Sequence, residues 1–242
     1  MMLARIGLRK CPLMLVRILL LCLLLAGCGQ TAAPLQPAAP IESPPSGGRL
    51  ATIDAAHSHL QILAFSGGRA AALGHNHVLT APHLQGWLWT PDEGLAGARF
   101  ALRLRLDELA LDAPELRATL GPAFASHLDA EAVAATRAHM LGADNLAADR
   151  YPLLLLRSLH VRGTPPHLEA EVEIELHGQR RRRVLLLEAW QDAGGWRTRG
   201  AFAVRQSDFG ISTYSVLGGL LAVQDELQVS FDLSSVPQTA GR

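Results

Sequence analysis

Four histidines between residues 57 and 77 are the residues best suited to metal binding or acid–base catalysis. His57 and His59 flank one serine, and His75 and His77 flank one asparagine. Because side chains two residues apart on a strand share a face, each pair points to one side if its segment is extended. If the turn at Ser66-Gly67-Gly68 sets its first and last residues opposite each other, His59 faces His75 and His57 faces His77. Four imidazoles placed in this way could bind zinc, copper or a similar divalent ion.

The hydrogen-bond register between the two histidine segments decides this interpretation. If the register moves by one residue, the two pairs point to opposite faces and the metal site disappears. The histidines would then form a polar mouth that contacts the head group of a ligand, or make structural hydrogen bonds. A hydrolase with one of them as general base is a further alternative, although the chain contains no Gly-x-Ser-x-Gly sequence to carry a serine nucleophile.

The segments around these histidines belong to a sequence that alternates like a series of strands. Leu102, Leu104 and Leu106 alternate with charged residues, and the apolar residues of 169–176 alternate with four glutamates. A period of two is typical of a strand with one buried face. Further strands are expected at 60–65, 69–79, 153–156, 180–188, 196–204 and 220–233, with tight turns at 66–68 and 177–179.

One stretch, residues 113–146, is rich in Ala, Leu and Glu and has helical character. Asp129 is expected to cap a helix that runs to about Leu141 and stops at Gly142. One face of this helix would carry Ala132, Val133, Thr136 and Met140. Many antiparallel strands with one helical insertion predict a mainly β fold, a closed antiparallel barrel with helices over its mouth. A barrel of about eight strands can hold one small ligand.

The first 27 residues are expected to be a lipoprotein signal peptide. They contain four basic residues, no acidic residue and an apolar run that is too short to span a bilayer. Leu25-Ala26-Gly27-Cys28 has the form of a lipobox, in which Cys28 becomes the lipidated first residue. An ordinary signal peptide cut near Ala26 is the alternative. Because Gly29 rather than an aspartate follows the cysteine, the expected location is the periplasmic side of the outer membrane, with the chain held there by its lipid anchor.

Residues 28–48 are expected to form a Pro-rich tether with Gly47-Gly48 as a flexible joint, and 49–242 to form one domain. The other two of the three cysteines precede Cys28, so no intramolecular disulfide or thiol nucleophile is expected. Four of the 22 basic residues lie in the signal peptide, so acidic residues outnumber basic ones by four in the rest of the chain. This charge excludes a strongly basic nucleic-acid binder.

Five sequence features, spread in order over residues 49–242, resemble the YceI-like family. They are Asp54 with His57-Ser58, Tyr151-Pro152, Glu175-Leu176-His177-Gly178-Gln179-Arg180-Arg181, Ser207-Asp208-Phe209-Gly210-Ile211 and Asp225-Glu226-Leu227-Gln228-Val229. The sequence departs from the family pattern at Gln206, where a basic residue is usual, and across 108–150.

The resemblance implies a lipocalin-like antiparallel β-barrel that binds a polyisoprenoid or other amphiphilic lipid in the periplasm. It carries over no catalytic residue and no established cofactor, so we expect a non-enzymatic lipid binder. A divalent metal at the four histidines, or a hydrolase that uses them, is the alternative. The residues expected to line the interior are Ile62, Leu102, Leu104, Leu106, Leu154, Leu156, Val172, Ile174, Phe202 and Val204. The alternation is satisfied equally by a cavity and by a solid core.

Overall fold

The computed structural model describes residues 41–192 and 195–238. The strands are β1 (Arg49–Ile53), β2 (His59–Gly67), β3 (His77–Thr80), β4 (Gln85–Thr90), β5 (Arg99–Arg105), β6 (Ala110–Leu111), β7 (Leu153–Thr164), β8 (His167–Leu176), β9 (Gln179–Asp192), β10 (Gly195–Arg205), β11 (Ser215–Val216) and β12 (Leu221–Pro237). The helices are α1 (Pro114–Thr119) and α2 (Ala130–Leu141). The predicted signal peptide, the lipobox with Cys28 and the start of the tether lie outside the described residues.

Eight of these strands close into an antiparallel barrel. Their order around the ring is β1-β4-β5-β7-β8-β9-β10-β12, and the end of β12 pairs with β1 to complete it. β2 follows β1 along the same side of β12, and β3 pairs with β2 on one side and with the short β6 on the other. The predicted fold class, a lipocalin-like barrel with a helical insertion near 113–146, is confirmed.

The alternation in β8 shows why these sequences form the barrel wall. Val172 and Ile174 are buried at 0% and 4% relative exposure, while the glutamates between them point to the outer face. β8 turns into β9 through His177 and Gly178, whose φ angles of 52° and 70° suit a two-residue hairpin. This tight turn was predicted, and the Arg180 guanidinium donates to the Glu175 carboxylate across it at 2.9 Å.

The β2–β3 connection differs from the predicted hairpin. β2 ends at Gly67 and β3 begins only at His77, so the strand expected over 69–79 is wrong for its first eight residues. Residues 71–73 form a 3-10 turn instead, and the Ala70 amide donates to the Leu220 carbonyl at 2.8 Å. The connection is therefore bonded to a neighbouring loop and takes up residues that a tight hairpin would have placed in a strand.

The helix α2 was predicted well. The Asp129 carboxylate accepts the Ala132 amide at 2.7 Å and caps the helix, and Gly142 follows its last residue. The capping satisfies an amide that the first turn leaves without a helical partner. None of the helices within the described ranges has the length and apolar character that a bilayer crossing requires.

The last residues of the predicted tether lie against the outer wall of the barrel. The indole N–H groups of Trp87 and Trp89 donate to the carbonyls of Glu42 and Gly47. The Glu42 carboxylate also lies 3.3 Å from the Arg157 guanidinium. The segment that ends in the expected joint at Gly47-Gly48 therefore forms hydrogen bonds with β4.

Candidate functional site

The barrel encloses an apolar cavity of about 520 Å³. Small-molecule sites commonly measure about 300–1,000 Å³, so this volume suits one ligand. One end of it is lined by Thr136, His139 and Met140 of α2 and by Tyr214, which precedes β11. We call this end, where β2 leads to β3 and β5 leads towards β7, the mouth. Trp196 lines the opposite end. The structure therefore has a cavity rather than the solid core that the sequence left open.

Nine of the ten residues predicted to line the interior lie in the cavity wall. They are Ile62, Leu102, Leu104, Leu106, Leu154, Leu156, Ile174, Phe202 and Val204. Val172 is the exception, because its side chain is completely buried and packs within the hydrophobic core. It therefore stabilises the barrel but does not line the cavity.

Several further wall residues lie in the strands that were expected over 60–65 and 220–233 but were not among the candidates. Leu227, Val229, Phe231 and Leu233 alternate along β12, and Leu60 precedes Ile62 on the same face of β2. The same period of two that identified Leu102 and Leu104 was present in both segments and would have found them.

A helical lid covers the mouth. The predicted face of α2 is half-buried, none of its residues is fully buried, and Thr136 and Met140 of that face line the cavity. The Arg137 guanidinium donates to the Leu109 carbonyl, which holds α2 to the β5–α1 connection. On the other side, the Asn145 amide donates to the Ser212 carbonyl at 3.0 Å, and the His139 and Tyr214 rings lie 5.0 Å apart. These few contacts connect the lid to the loop opposite.

A buried polar cluster lies beside the cavity near the mouth. His77 Nδ1 is 2.6 Å from Asp112 Oδ2, and an Arg117 nitrogen is 2.7 Å from Asp112 Oδ1. The side chains of His77, Asp112 and Arg117 are 16%, 0% and 7% exposed. The Val78 amide also donates to Asp112 Oδ1 at 3.0 Å. Of the three side chains, His77 is the one that lines the cavity.

The ionisation of Asp112 depends on these partners. Burial by itself favours the neutral acid, but the hydrogen bonds from His77, Val78 and Arg117 together hold the pKa of Asp112 below its usual value of 3.8. Asp112 is therefore a carboxylate at neutral pH, and it accepts hydrogen bonds from both neighbours.

The other three predicted histidines do not line the cavity with His77. His57 ends a 3-10 turn, where its Nδ1 lies 2.7 Å from Asp54 Oδ2, and its side chain is exposed. His59 is exposed on the outer face of β2, opposite Asp232 of β12. His75 is exposed in the β2–β3 connection.

The histidine register that the metal interpretation required is not formed. Ala64 pairs with His77, whereas that interpretation required His57 to lie opposite His77. The longer connection moves the second strand along the first, so His77 faces inward and His59 faces outward. Within the described ranges no group of three or more His, Cys, Asp or Glu side chains converges as a metal site would. The geometry therefore does not assemble the four-histidine metal site.

Asp112 and Arg117 were missed as site residues. Arg117 lies within the stretch 113–146, where the sequence indicated only helix, and Asp112 lies just before it. Asp112 has a φ of 53°, a left-handed conformation that Asp adopts more easily than most residues. An aspartate two residues before a proline gave no signal of this contact, which joins residues 35 positions apart.

Comparison with known proteins identifies the fold. A sequence model of the YceI-like domain matches residues 52–235. The crystal structure of Burkholderia cenocepacia BcnA aligns with a TM-score of 0.55 at 12% identity, over 75% of this chain and 98% of that one. A mutant of the Campylobacter jejuni YceI protein aligns with a TM-score of 0.51 at 9% identity, over 67% of this chain and 85% of that one. Among curated proteins there is no significant sequence match.

Proposed function

The chain belongs to the YceI-like domain family, whose barrels are commonly ligand-binding proteins, and on that basis we propose that it binds one amphiphilic lipid, such as an isoprenoid, without catalysing a reaction. The observation that carries the proposal is the apolar cavity of about 520 Å³ inside the barrel. Its wall is built from leucine, isoleucine, valine and phenylalanine side chains of the strands, which suit a hydrocarbon chain rather than a polar metabolite.

The energetics of such a site predict a dependence on chain length. Burial of one methylene group contributes about 0.8 kcal/mol, which is close to a fourfold change in affinity. Affinity should therefore rise with each added carbon until the cavity is full, and then level off. Polar groups at the mouth would fix the orientation of the ligand.

The surroundings of His77 support a binding role over a hydrolytic one. Its partner Asp112 orients the ring as in a catalytic dyad. Within the described residues, however, no serine, threonine or tyrosine hydroxyl forms a hydrogen bond with His77. A hydrolase with a serine-type nucleophile needs that hydroxyl at about 2.6–3.2 Å from its general base, and no side chain of the described residues supplies one to His77.

A direct test uses prenyl alcohols of 10, 15 and 20 carbons as probes and the fluorescence of Trp196 as the readout, because Trp196 lines the cavity. Ala64 also lines the cavity and is 9% exposed, so Ala64→Phe should fill the space and weaken binding of the 20-carbon probe at least tenfold. Ala203→Phe is the matched control, because Ala203 lies on the outer face of β10 and is exposed. Equal binding by both variants and the wild type would contradict the proposal.

We also propose that the chain is anchored by lipid on the periplasmic side of the outer membrane. The proposal rests on the signal-like residues 1–27 and on the lipobox that ends at Cys28. Cys28→Ser should release the protein from the membrane fraction into the soluble periplasmic fraction. Continued membrane association of this variant would refute the anchor.

A further inference from the structure

We infer that His77 is the head-group contact of the bound lipid, and that its Nε2 atom accepts a hydrogen bond from a hydroxyl group, so that the site selects lipid alcohols. The inference rests on the proposed function and adds the chemical class of the head group. The observation that carries it is a mostly buried imidazole, which lines an otherwise apolar wall and contacts the buried Asp112–Arg117 ion pair on its other side.

The orientation of the ring follows from its partner. Asp112 Oδ2 lies 2.6 Å from His77 Nδ1, and a carboxylate can only accept a hydrogen bond. Nδ1 therefore carries the proton in this contact. The other ring nitrogen, Nε2, forms no hydrogen bond within residues 41–192 and 195–238. It is the nitrogen that remains available to a molecule in the cavity.

The charges around the ring decide whether Nε2 accepts or donates. Arg117 already compensates Asp112 at 2.7 Å, and it is itself held by the carbonyls of Asn76 and Ser126. A second proton on His77 would leave the cluster with a net positive charge beside a hydrocarbon surface, where an uncompensated charge is strongly disfavoured. The neutral ring is the form that the cluster balances, and its Nε2 carries a lone pair.

An acceptor in an apolar wall selects a ligand that donates. A hydroxyl group can donate to Nε2, whereas an ether or ketone oxygen cannot. A ligand without a donor would leave this nitrogen unpaired after its water is displaced, and such unpaired groups lower affinity. His59 lies on the outer face of β2, exposed and outside the cavity wall, so it serves as the comparison.

The test compares farnesol with farnesyl methyl ether, which share the same hydrocarbon chain and differ in one donor hydrogen. For the wild type, His77→Phe and His59→Phe, the ratio of the ether Kd to the alcohol Kd is measured by tryptophan fluorescence, to which Trp196 in the cavity wall contributes. We expect the ratio to fall about tenfold in His77→Phe, which corresponds to about 1.4 kcal/mol, and to stay within twofold of the wild type in His59→Phe. An unchanged ratio in His77→Phe, or an equal fall in both variants, would overturn the inference.

The same experiment separates this inference from the proposed function. If the wild type binds both compounds but does not distinguish them, the cavity binds lipid and the head-group inference fails. If it binds neither, the proposed function fails. As a measurement that does not depend on a variant, the imidazole ¹⁵N spectrum of the wild type should show an unprotonated His77 Nε2 that moves upfield with farnesol and not with the ether. A protonated Nε2 in the free protein would refute the inference.

Discussion

Replacement of Asp112 by asparagine tests the buried cluster beside the cavity. In the wild type the carboxylate faces His77, Arg117 and the Val78 amide, and its side chain is fully buried. An asparagine at this position would keep nearly the same shape and an oxygen acceptor, and asparagine tolerates the left-handed φ of 53° found here. The substitution therefore removes the negative charge without adding backbone strain.

The expected loss of stability comes from Arg117. Its guanidinium is 7% exposed and lies 2.7 Å from Asp112, so Asp112→Asn leaves a buried positive charge without compensation. Removal of one partner from a buried pair costs about 3–5 kcal/mol. Because the introduced amide oxygen still accepts one hydrogen bond, we expect the free energy of unfolding to fall by about 3 kcal/mol, at the lower end of this range.

The assay is urea unfolding at pH 7, followed by tryptophan fluorescence. Asp107→Asn is the matched control, since it breaks an ion pair with Arg105 in the same connection, but those side chains are 48% and 42% exposed. Pairs in solvent contribute little, so the control should unfold at nearly the wild-type urea concentration. If the two variants lose the same stability, the reasoning about the buried cluster is refuted.

Two further predictions concern pH and the lid. Because the folded-state pKa of Asp112 is lowered below 3.8, its ionisation stabilises the fold above pH 3.8, and this stability is lost as the pH falls below that value. The difference in unfolding free energy between the wild type and Asp112→Asn should therefore shrink between pH 4 and pH 2.5. A constant difference would contradict the assignment. Asn145→Ala removes the amide contact to the Ser212 carbonyl across the mouth. Loss of one hydrogen bond of about 1 kcal/mol should raise both the association and the dissociation rate of a prenyl alcohol about fivefold, with little change in Kd. Stopped-flow rates equal to those of the wild type would show that the lid does not limit exchange.

The sequence predicted the parts of the fold that depend on local patterns. The alternation of β8, the His177-Gly178 turn and the cap at Asp129 each follow from a few adjacent residues. The inward face of each strand is fixed by the same alternation, which is why nine of ten candidate wall residues were found. In these cases one short segment contains all the information that its structure requires.

The candidate site was less predictable because it depends on register between distant segments. The Ser66-Gly67-Gly68 sequence is compatible with a tight hairpin, yet Gly68 adopts a φ of 83° and packs against the backbone of the 217–221 loop region. That contact is not encoded near Gly68 in the chain. With the register displaced in this way, His77 does not lie opposite His57, which no local pattern could reveal.

The position of Asp112 indicates that different parts of the barrel determine which head group is preferred and which chain length fits. Leu79 pairs with Leu111 in the short β3–β6 contact, and the Asp112 amide then donates to the Val78 carbonyl at 2.8 Å. This pairing carries Asp112 next to the strand that bears His77, and the left-handed turn at Asp112 directs its carboxylate to the ring. The volume of the cavity depends instead on the apolar side chains of the barrel strands and of β2. Substitutions of those side chains should therefore change the length of chain that fits, whereas substitutions at Asp112 and Arg117 should change the head group that is preferred.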